Sequence, residues 1–277
     1  MKRTYTMMLR SAAPRLRPTA AYFSVKAGAV VRRGRRSEAD ALRAAAGRRR
    51  GASPERKDYA ANPVKLANNK IFASLAADAT ARGRVLYLEA EQCNTTAALE
   101  EAGVPPGSFH AVTADDVDYA QIRAKHPWLL VDHAELSAVL GAQRAGLRSA
   151  WLDYCSEPYG AGDRSPPRDI ARAVKLLARS AARGRTAVLA VTAASSRLPP
   201  GRIAAIRATL IANGLEDLAP APRDAAPMEV APFLAEVVGR AAAAAGVTAT
   251  EAANVRYKSA GSTGQSMTFV AFRIASE

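Results

Sequence analysis

Apolar positions in the second part of the chain form two kinds of segment that alternate. Between residues 63 and 83 they recur at three- and four-residue steps, at Val64, Ala67, Ile71 and Leu75, which predicts a helix with Pro63 in its first turn. Residues 85–88 are continuously apolar, which predicts a short buried strand. A helix followed by a strand is therefore the first unit of the pattern.

Similar units follow as far as residue 192. Apolar runs that predict strands cover residues 109–113, 128–131, 149–153 and 186–192, and helices are predicted at residues 95–102, 117–125, 134–143 and 168–183. Short strands that alternate with helices are typical of a parallel sheet with helices on both faces. The sequence therefore predicts a three-layer α/β domain.

The end of the chain departs from this alternation. After helical segments at residues 202–213 and 230–245, two β-like runs at residues 253–259 and 267–274 are separated by only seven residues. That connection is too short for a parallel crossover, so the two runs should form an antiparallel hairpin. The predicted fold is Rossmann-like, with a mostly parallel seven-stranded sheet and an antiparallel C-terminal hairpin.

Charge divides the chain into two parts. The 277 residues carry 39 Lys and Arg against 25 Asp and Glu, and residues 1–57 hold 16 of the basic side chains with only 3 of the acidic ones. The net charge of the remainder is close to zero. We therefore predict a basic leader over residues 1–57 and a folded domain over residues 58–277.

The leader has the composition of a mitochondrial transit peptide, because it is rich in Arg and its first ten basic residues precede any acid. This predicts location in the mitochondrial matrix, with a solvated, disordered basic tail as the alternative. Basic clusters continue beyond an ordinary presequence length and suit an arm that contacts RNA phosphates as well as they suit an inert spacer. The candidate RNA-contacting residues of the arm are Arg32, Arg33, Arg35, Arg36, Arg48, Arg49 and Arg50.

The composition also excludes several classes of protein. Two Cys residues far apart make no disulfide framework, and three scattered His residues give no metal-ligand spacing, so we expect no disulfide-stapled fold and no metal site. No apolar run approaches the roughly 20 residues that cross a bilayer. We therefore expect no membrane span.

The order of the elements resembles that of the class I S-adenosylmethionine-dependent methyltransferases, whose sheet is parallel except for an inserted antiparallel last strand. The resemblance covers residues 62–277 and depends on element order and on the residues at strand ends. It implies that a ligand would bind beyond the carboxyl ends of the strands. For an active enzyme, the implied cofactor is S-adenosylmethionine.

The turn after the first predicted strand departs from the family's pattern. Glu89 matches the acid that the family has there, but the glycines that let the backbone approach the cofactor are absent from residues 90–96. The resemblance makes Glu89 and Asn94 candidates for cofactor binding. Asn94 is also a good helix N-cap, which favours a purely structural turn from strand to helix.

Acids also follow the second and third predicted strands. The resemblance matches Asp115 and Asp116 with the acid that binds ribose hydroxyls, and Asp132 with the acidic turn that meets the adenine amino group. Carboxylates suit both places because they accept hydrogen bonds from hydroxyl and amino donors. Asp is equally common as a helix cap after a strand, so both interpretations stay open.

The segment after the fourth strand begins with Asp153 and Tyr154, where the family places its substrate-orienting residues. The resemblance makes these two the candidate catalytic residues, although the Pro-Pro that often follows is missing. Tyr154 or Tyr159 could stack on a base or merely cover the sheet edge. Cys93 and Cys155 follow strands that are neighbours in the family's sheet, so we expect them to face each other as free thiols whose pKa is raised by nearby acids.

A basic stripe on one predicted helix favours RNA as a partner. Five basic side chains recur at three- and four-residue steps, opposite apolar ones: Arg168, Arg172, Lys175, Arg179 and Arg183. Such a stripe is usually only the solvated face of a helix. Together with the leader it would form a continuous track for phosphates.

Three interpretations of function follow. The favoured one is a mitochondrial methyltransferase-fold protein that has lost or weakened cofactor binding and is a structural or assembly component of a large ribonucleoprotein, such as the mitochondrial ribosome. Its partners would be ribosomal RNA or neighbouring proteins, and no cofactor is expected. The second is an active S-adenosylmethionine-dependent methyltransferase acting on mitochondrial RNA or protein. The third is an accessory subunit of a respiratory complex.

Overall fold

The computed structural model describes residues 62–154, 166–182, 184–194, 197–212, 214–221, 227–259 and 264–276. The predicted leader, with the arginines named in it, lies outside the described residues, and so do Cys155, Tyr159 and Arg183. No helix in the described part of the chain is long and apolar enough to cross a bilayer.

In the part of the chain that the structure describes, seven strands form the main sheet. They are β1 (Arg84–Leu88), β2 (Phe109–Thr113), β3 (Val131–His133), β4 (Leu147–Asp153), β5 (Thr186–Ala194), β8 (Thr248–Lys258) and β9 (Ser266–Ala275). Their order is β3-β2-β1-β4-β5-β9-β8, and β9 runs antiparallel to both of its neighbours. The predicted seven-stranded sheet, its parallel part and the antiparallel C-terminal hairpin are confirmed. A small second sheet pairs β6 (Arg197–Leu198) with β7 (Met228–Glu229), which the sequence pattern did not predict.

Seven helices of the described chain cover the two faces of the main sheet. They are α1 (Pro63–Asp78), α2 (Asn94–Glu101), α3 (Asp116–Lys125), α4 (Leu136–Ala142), α5 (Pro166–Ala181), α6 (Pro200–Ala212) and α7 (Val230–Ala244). Residues of α1, α2 and α3 share one core cluster with one face of the sheet, and residues of α4 to α7 share a second cluster with the other face. The predicted three-layer architecture is confirmed.

Strand β5 shows why the apolar runs predict a sheet covered on both sides. Val188 and Ala190 belong to the core cluster under α1, and Leu189 and Val191 belong to the cluster under α5. Successive side chains of a strand point to opposite faces. Because both faces are buried, the strand is apolar at every position from residue 187 to residue 191.

The predicted strand at residues 128–131 is misplaced, because β3 begins only at Val131. The Arg123 guanidinium donates to the carbonyl oxygens of Pro127 and Leu129, each at 3.2 Å. Arg123 therefore holds these residues in a turn, and the Trp128 side chain remains 48% exposed. Hydrophobicity alone could not separate a turn that exposes an indole from a buried strand.

Candidate functional site

The carboxyl ends of β1, β2, β3 and β4 lie side by side at one edge of the sheet, because neighbouring strands among these four are parallel. Each of these strands is followed by one or more of the acids singled out in the sequence. The fold therefore brings the predicted site residues to a common edge, hereafter the carboxyl edge. What each acid does there depends on its local contacts.

The Glu89 carboxylate is buried against the start of α2. It accepts hydrogen bonds from the N–H of Ala90 at 3.1 Å, from the N–H of Thr96 at 2.8 Å and from the Thr96 hydroxyl at 2.7 Å. The Thr96 hydroxyl also lies 2.9 Å from that of Tyr87, which extends the buried network into β1. Burial raises the pKa of the Glu89 carboxyl, and the hydrogen bonds from Thr96 counteract this in part.

The residue expected to cap α2 is not the one that does so. Helix α2 begins at Asn94, and the cap position belongs to Cys93, whose side chain makes no capping hydrogen bond. Glu89 takes over this role by satisfying the Thr96 N–H in the first turn. Cys93 has a φ of 58°, the left-handed conformation that glycine adopts without strain, and it is the one non-glycine with positive φ in the described part of the chain.

Helix α3 supports the rest of this turn. The N–H of Glu91 donates to the Asp118 carboxylate at 3.2 Å, and Lys125 donates to the carbonyl oxygen of Glu91. Within the turn itself, the N–H of Cys93 donates to the carbonyl oxygen of Ala90 at 3.0 Å. Several backbone groups of the turn are thus engaged by groups of the same chain.

The two acids after β2 each have a partner in the protein. Asp115 is the N-cap of α3, where its carboxylate accepts from the N–H of Val117 at 2.8 Å and of Asp118 at 3.1 Å. The capping interpretation of Asp115 is therefore confirmed. Asp116 lies 3.2 Å from Nε2 of His133.

Asp132 also has a partner. Its Oδ2 lies 2.8 Å from Nε2 of His110, a side chain buried in β2. The other ring nitrogen of His110, Nδ1, is buried without a hydrogen-bond partner. Asp132 therefore faces the neighbouring strand, although 42% of its side chain remains exposed.

The two candidate catalytic residues contact helices of different layers. Oδ2 of Asp153 lies 2.9 Å from Nζ of Lys65 in α1. The Tyr154 hydroxyl instead donates to Oδ2 of Asp169 in α5 at 3.2 Å, and the Ser137 hydroxyl donates to the same oxygen at 2.6 Å. Burial raises the pKa of both Tyr154 and Asp169. The structure does not bring Asp153 and Tyr154 together into one catalytic pair.

Sequence reasoning missed two buried amides on α1. Asn68 and Asn69 are 1% and 2% exposed, and both amide atoms of Asn68 and the Oδ1 of Asn69 have no hydrogen-bond partner. They follow Lys65 by three and four residues, a spacing that places them near it on the helix surface. Oδ1 of Asp153 is likewise buried without a partner. The available signal was the pair of adjacent Asn residues inside a predicted helix. An unpaired buried amide costs free energy, so such a pair is a candidate for ligand binding.

The strand order decides the fold. Five parallel strands are followed by a last strand, β9, inserted antiparallel between β5 and β8. This is the strand order that the resemblance to the class I S-adenosylmethionine-dependent methyltransferases implies. No protein-family model matches the chain, and no curated protein sequence matches it.

Solved structures with a methyltransferase fold are similar to this chain at low identity. The N-methyltransferase NodS from Bradyrhizobium japonicum is 12% identical over 84% of this chain and 97% of its own, with a TM-score of 0.43. The 1,6-didemethyltoxoflavin-N1-methyltransferase from Burkholderia thailandensis is 13% identical over 86% and 88%, with a TM-score of 0.44. A putative RNA methyltransferase from Pyrococcus horikoshii is 11% identical over 76% and 83%, also with a TM-score of 0.44. Such matches say nothing about activity.

The residues at the carboxyl edge do not fit S-adenosylmethionine in the way that is usual for the family that the chain resembles. In that family, glycines after the first strand let the backbone approach the cofactor, whereas here residues with larger side chains follow Glu89. The N–H groups of Glu91 and Thr96 already donate to carboxylates of Asp118 and Glu89. Asp115 caps α3 rather than standing open to a ribose. No group of three or more His, Cys, Asp or Glu in the described part of the chain could hold a metal ion.

The Cys93 thiol is buried. Burial, assisted by the negative charge of Glu89, raises its pKa to about 12. The predicted direction is confirmed, although burial rather than nearby acids is the larger cause. Cys155, which we expected to face Cys93, lies outside the described residues.

The basic stripe on α5 divides into two parts. Arg172 donates to the carbonyl oxygen of Ser137 at 3.3 Å and lies 3.7 Å from Asp169, so it supports the buried acid. Arg168 also acts electrostatically on Asp169. Lys175 and Arg179 are exposed, nearer the end of the helix. The stripe is thus structural at its start and open to solvent towards its end.

Proposed function

We propose that this protein is a non-catalytic, methyltransferase-fold component of a large mitochondrial ribonucleoprotein such as the mitochondrial ribosome. It stabilises or assembles that particle through contacts with RNA and neighbouring proteins. The observation that carries the proposal is the engagement of the turn after β1 by the chain's own side chains, with Glu89 on the N–H and hydroxyl of Thr96.

This engagement supports loss of cofactor binding for a physical reason. Backbone donors at a helix N-terminus bind anionic ligand groups when they are unoccupied. Here the Glu89 carboxylate already satisfies the Thr96 N–H, so a ligand would have to displace a buried acid from two hydrogen bonds. The uneven charge of the chain supports the second half of the proposal, because a basic leader suits contact with RNA phosphates.

Calorimetric titration of the purified full chain with S-adenosylmethionine tests the loss of cofactor binding. We expect no binding at physiological concentrations of the cofactor. A micromolar affinity that the Glu89→Gln substitution abolishes would overturn the proposal and support an active methyltransferase.

Sedimentation of mitochondrial lysates tests the assignment to a ribonucleoprotein. The full chain should co-sediment with ribosomal particles, and deletion of residues 25–57, which keeps residues 1–24 for import, should abolish this. Unchanged sedimentation of the deletion variant would reject the role of the leader. Co-migration with respiratory complexes would favour the third interpretation instead.

One observation favours an active methyltransferase as the second candidate. Oδ1 of Asp153, at the end of β4 where the family orients its substrates, is buried without a partner, and so are both amide atoms of Asn68, three residues after Lys65 on α1. Unsatisfied buried groups suit a polar ligand. Transfer of a radiolabelled methyl group to mitochondrial RNA or protein, lost on Asp153→Asn, would establish this candidate.

A further inference from the structure

The amino edge of the sheet, opposite the carboxyl edge, collects arginines from distant parts of the chain. Arg84 begins β1, its Cα partner in β4 is Leu147, and Arg185 directly precedes β5. Arg179 at the end of α5 donates to the carbonyl oxygen of Arg144 at 3.1 Å. We call the whole set the arginine edge: Arg82, Arg84, Arg144, Arg148, Arg179, Arg185 and Arg273.

Gly83 allows two of the contributing segments to approach closely. Its φ is +130°, and a Cβ added there would lie 2.5 Å from the carbonyl oxygen of Gly146. Only glycine permits this conformation and this contact. As a result, Arg82 and Arg84 lie beside the segment that carries Arg144.

Few of these arginines are neutralised by acids. Asp78, which lies 3.7 Å from Arg273, is the one acidic side chain within ion-pair distance of the arginine edge in the described part of the chain. Arg82, Arg84 and Arg144 are exposed. The positive charge of this edge is therefore directed to solvent.

Stabilisation of helix ends explains only part of the set. Arg148 has such a role, because its guanidinium donates to the carbonyl oxygens of Ala76 at 3.0 Å and Ala77 at 2.9 Å, at the end of α1. Arg82 and Arg84 make no comparable contact with described residues. A structural role therefore leaves Arg82 and Arg84 unexplained.

An exposed indole lies at the same end of the sheet as the arginine edge. The Trp128 ring centroid is 5.9 Å from that of Phe109, whose Cα is the partner of Val85, the residue after Arg84. Trp128 is 48% exposed, whereas the second tryptophan of the chain, Trp151, is 2% exposed. An exposed aromatic face beside guanidinium groups is the combination that binds unpaired nucleotides.

The two edges of the sheet differ in charge. Acids such as Glu89, Asp116, Asp132 and Asp153 lie at the carboxyl edge together with basic residues such as Lys65, whereas the amino edge carries the set of arginines. The net charge of residues 58–277 is close to zero, but the fold gathers arginines from distant parts of the chain at one edge of the sheet. A polyanion would be attracted to the amino edge.

We propose that the arginine edge binds the phosphate backbone of single-stranded RNA, with Trp128 stacking on an unpaired base. This inference rests on the proposed function, because it names the surface through which the folded domain meets RNA. Guanidinium groups match phosphate oxygens with two parallel hydrogen bonds. The arginine edge lies at the opposite end of the strands from the carboxyl edge, so RNA binding there needs no cofactor.

Intrinsic fluorescence of the full chain provides the first test. Because Trp151 is buried, quenching on titration with poly(U) RNA reports on Trp128. We expect saturable quenching in the wild type and in Trp151→Phe, and none in Trp128→Phe. Binding of poly(U) without any change in Trp128 fluorescence would overturn the stacking contact.

The salt dependence of binding provides the second test. The variant Arg84→Gln with Arg144→Gln is compared with the matched control Arg202→Gln with Lys258→Gln, two exposed basic residues on the carboxyl side. Loss of two phosphate contacts should reduce the slope of log K against log salt by about 1.4 for a single strand. The control should keep the wild-type slope, and circular dichroism verifies that both variants fold. Equal slopes in the two variants would overturn the proposal.

The outcomes separate this inference from the proposed function. Chemical modification of arginines by phenylglyoxal, read by mass spectrometry, should show Arg84 and Arg144 protected by poly(U) and Arg202 unprotected, even though the leader is present. If poly(U) protects Arg84 and Arg144 and the protein also binds S-adenosylmethionine, the inference stands and the non-catalytic role is rejected. Protection by anionic phospholipid vesicles but not by RNA would overturn the inference.

Discussion

The Glu89 carboxylate accepts hydrogen bonds from both the backbone N–H and the hydroxyl of Thr96, at 2.8 and 2.7 Å. An acid at the end of β1 thereby replaces an ordinary N-cap, because the cap position of α2 holds Cys93 and its side chain makes no capping bond. The same contact occupies the Thr96 N–H, which under the proposed function keeps a ligand from the start of the helix.

Substitution Glu89→Ala should destabilise the protein by about 1–3 kcal/mol, because it leaves the buried N–H and hydroxyl of Thr96 without their acceptor. Urea denaturation followed by circular dichroism measures the free energy of unfolding. Glu91→Ala is the control, since its side chain accepts only from the neighbouring Gln92 among the described residues. Equal losses in the two variants would contradict the capping role.

The stability of the protein should depend on pH through its buried acids. Burial raises the pKa of Glu89 above its ordinary value of 4.5, so the folded state holds this proton more tightly than the unfolded state. The stabilisation that results is complete below pH 4.5 and is lost as the pH rises through the folded pKa. Relative to Glu89→Gln, the wild type should therefore become less stable from acid to neutral pH. An unfolding free energy of the wild type that rises with pH relative to that of Glu89→Gln would contradict this.

The Cys93 thiol should be nearly inert in the folded protein. With a pKa of about 12, its thiolate fraction at neutral pH is about a thousandfold below that of an ordinary cysteine. In the Cys155→Ser variant, the reaction with Ellman's reagent should be slow in buffer and fast in urea. Comparable rates in the two conditions would show that Cys93 is accessible and ionised.

The Lys65 and Asp153 side chains should be energetically coupled. Their charged groups lie 2.9 Å apart and are 19% and 12% exposed. Lys65→Met should cost about 1–3 kcal/mol, because it leaves a largely buried carboxylate unpaired. Adding Asp153→Asn should recover part of the loss. A double-mutant cycle by urea denaturation measures the coupling, and strictly additive effects would contradict it.

Most of the architecture could be predicted from the sequence, because buried elements leave regular apolar patterns. Strand β2 matches its prediction at residues 109–113, and α3 and α7 differ from theirs by one residue at one end. The edge strand β8 is an exception, since it begins five residues before the predicted run. Those early residues are polar or small and largely exposed, so burial imposes no pattern on them.

The site was predictable only as a set of positions. Apolar runs located the strand ends, and so the acids Glu89, Asp115, Asp132 and Asp153 could be named as residues of one edge. Their partners could not be named, because Thr96, His110 and Lys65 meet them through contacts that depend on packing. Whether an acid binds a ligand or a neighbouring group depends on distances of a few ångströms between elements, which local sequence does not encode.

The sequence by itself determined the alternation of elements, the uneven distribution of charge and the absence of glycines after β1, because each of these is a property of neighbouring residues. Only the tertiary structure decided that Glu89 turns inward, that Asp153 and Tyr154 contact different layers, and that arginines as distant as Arg84 and Arg273 share one edge. These are consequences of strand order and helix packing, which join residues that the chain keeps far apart.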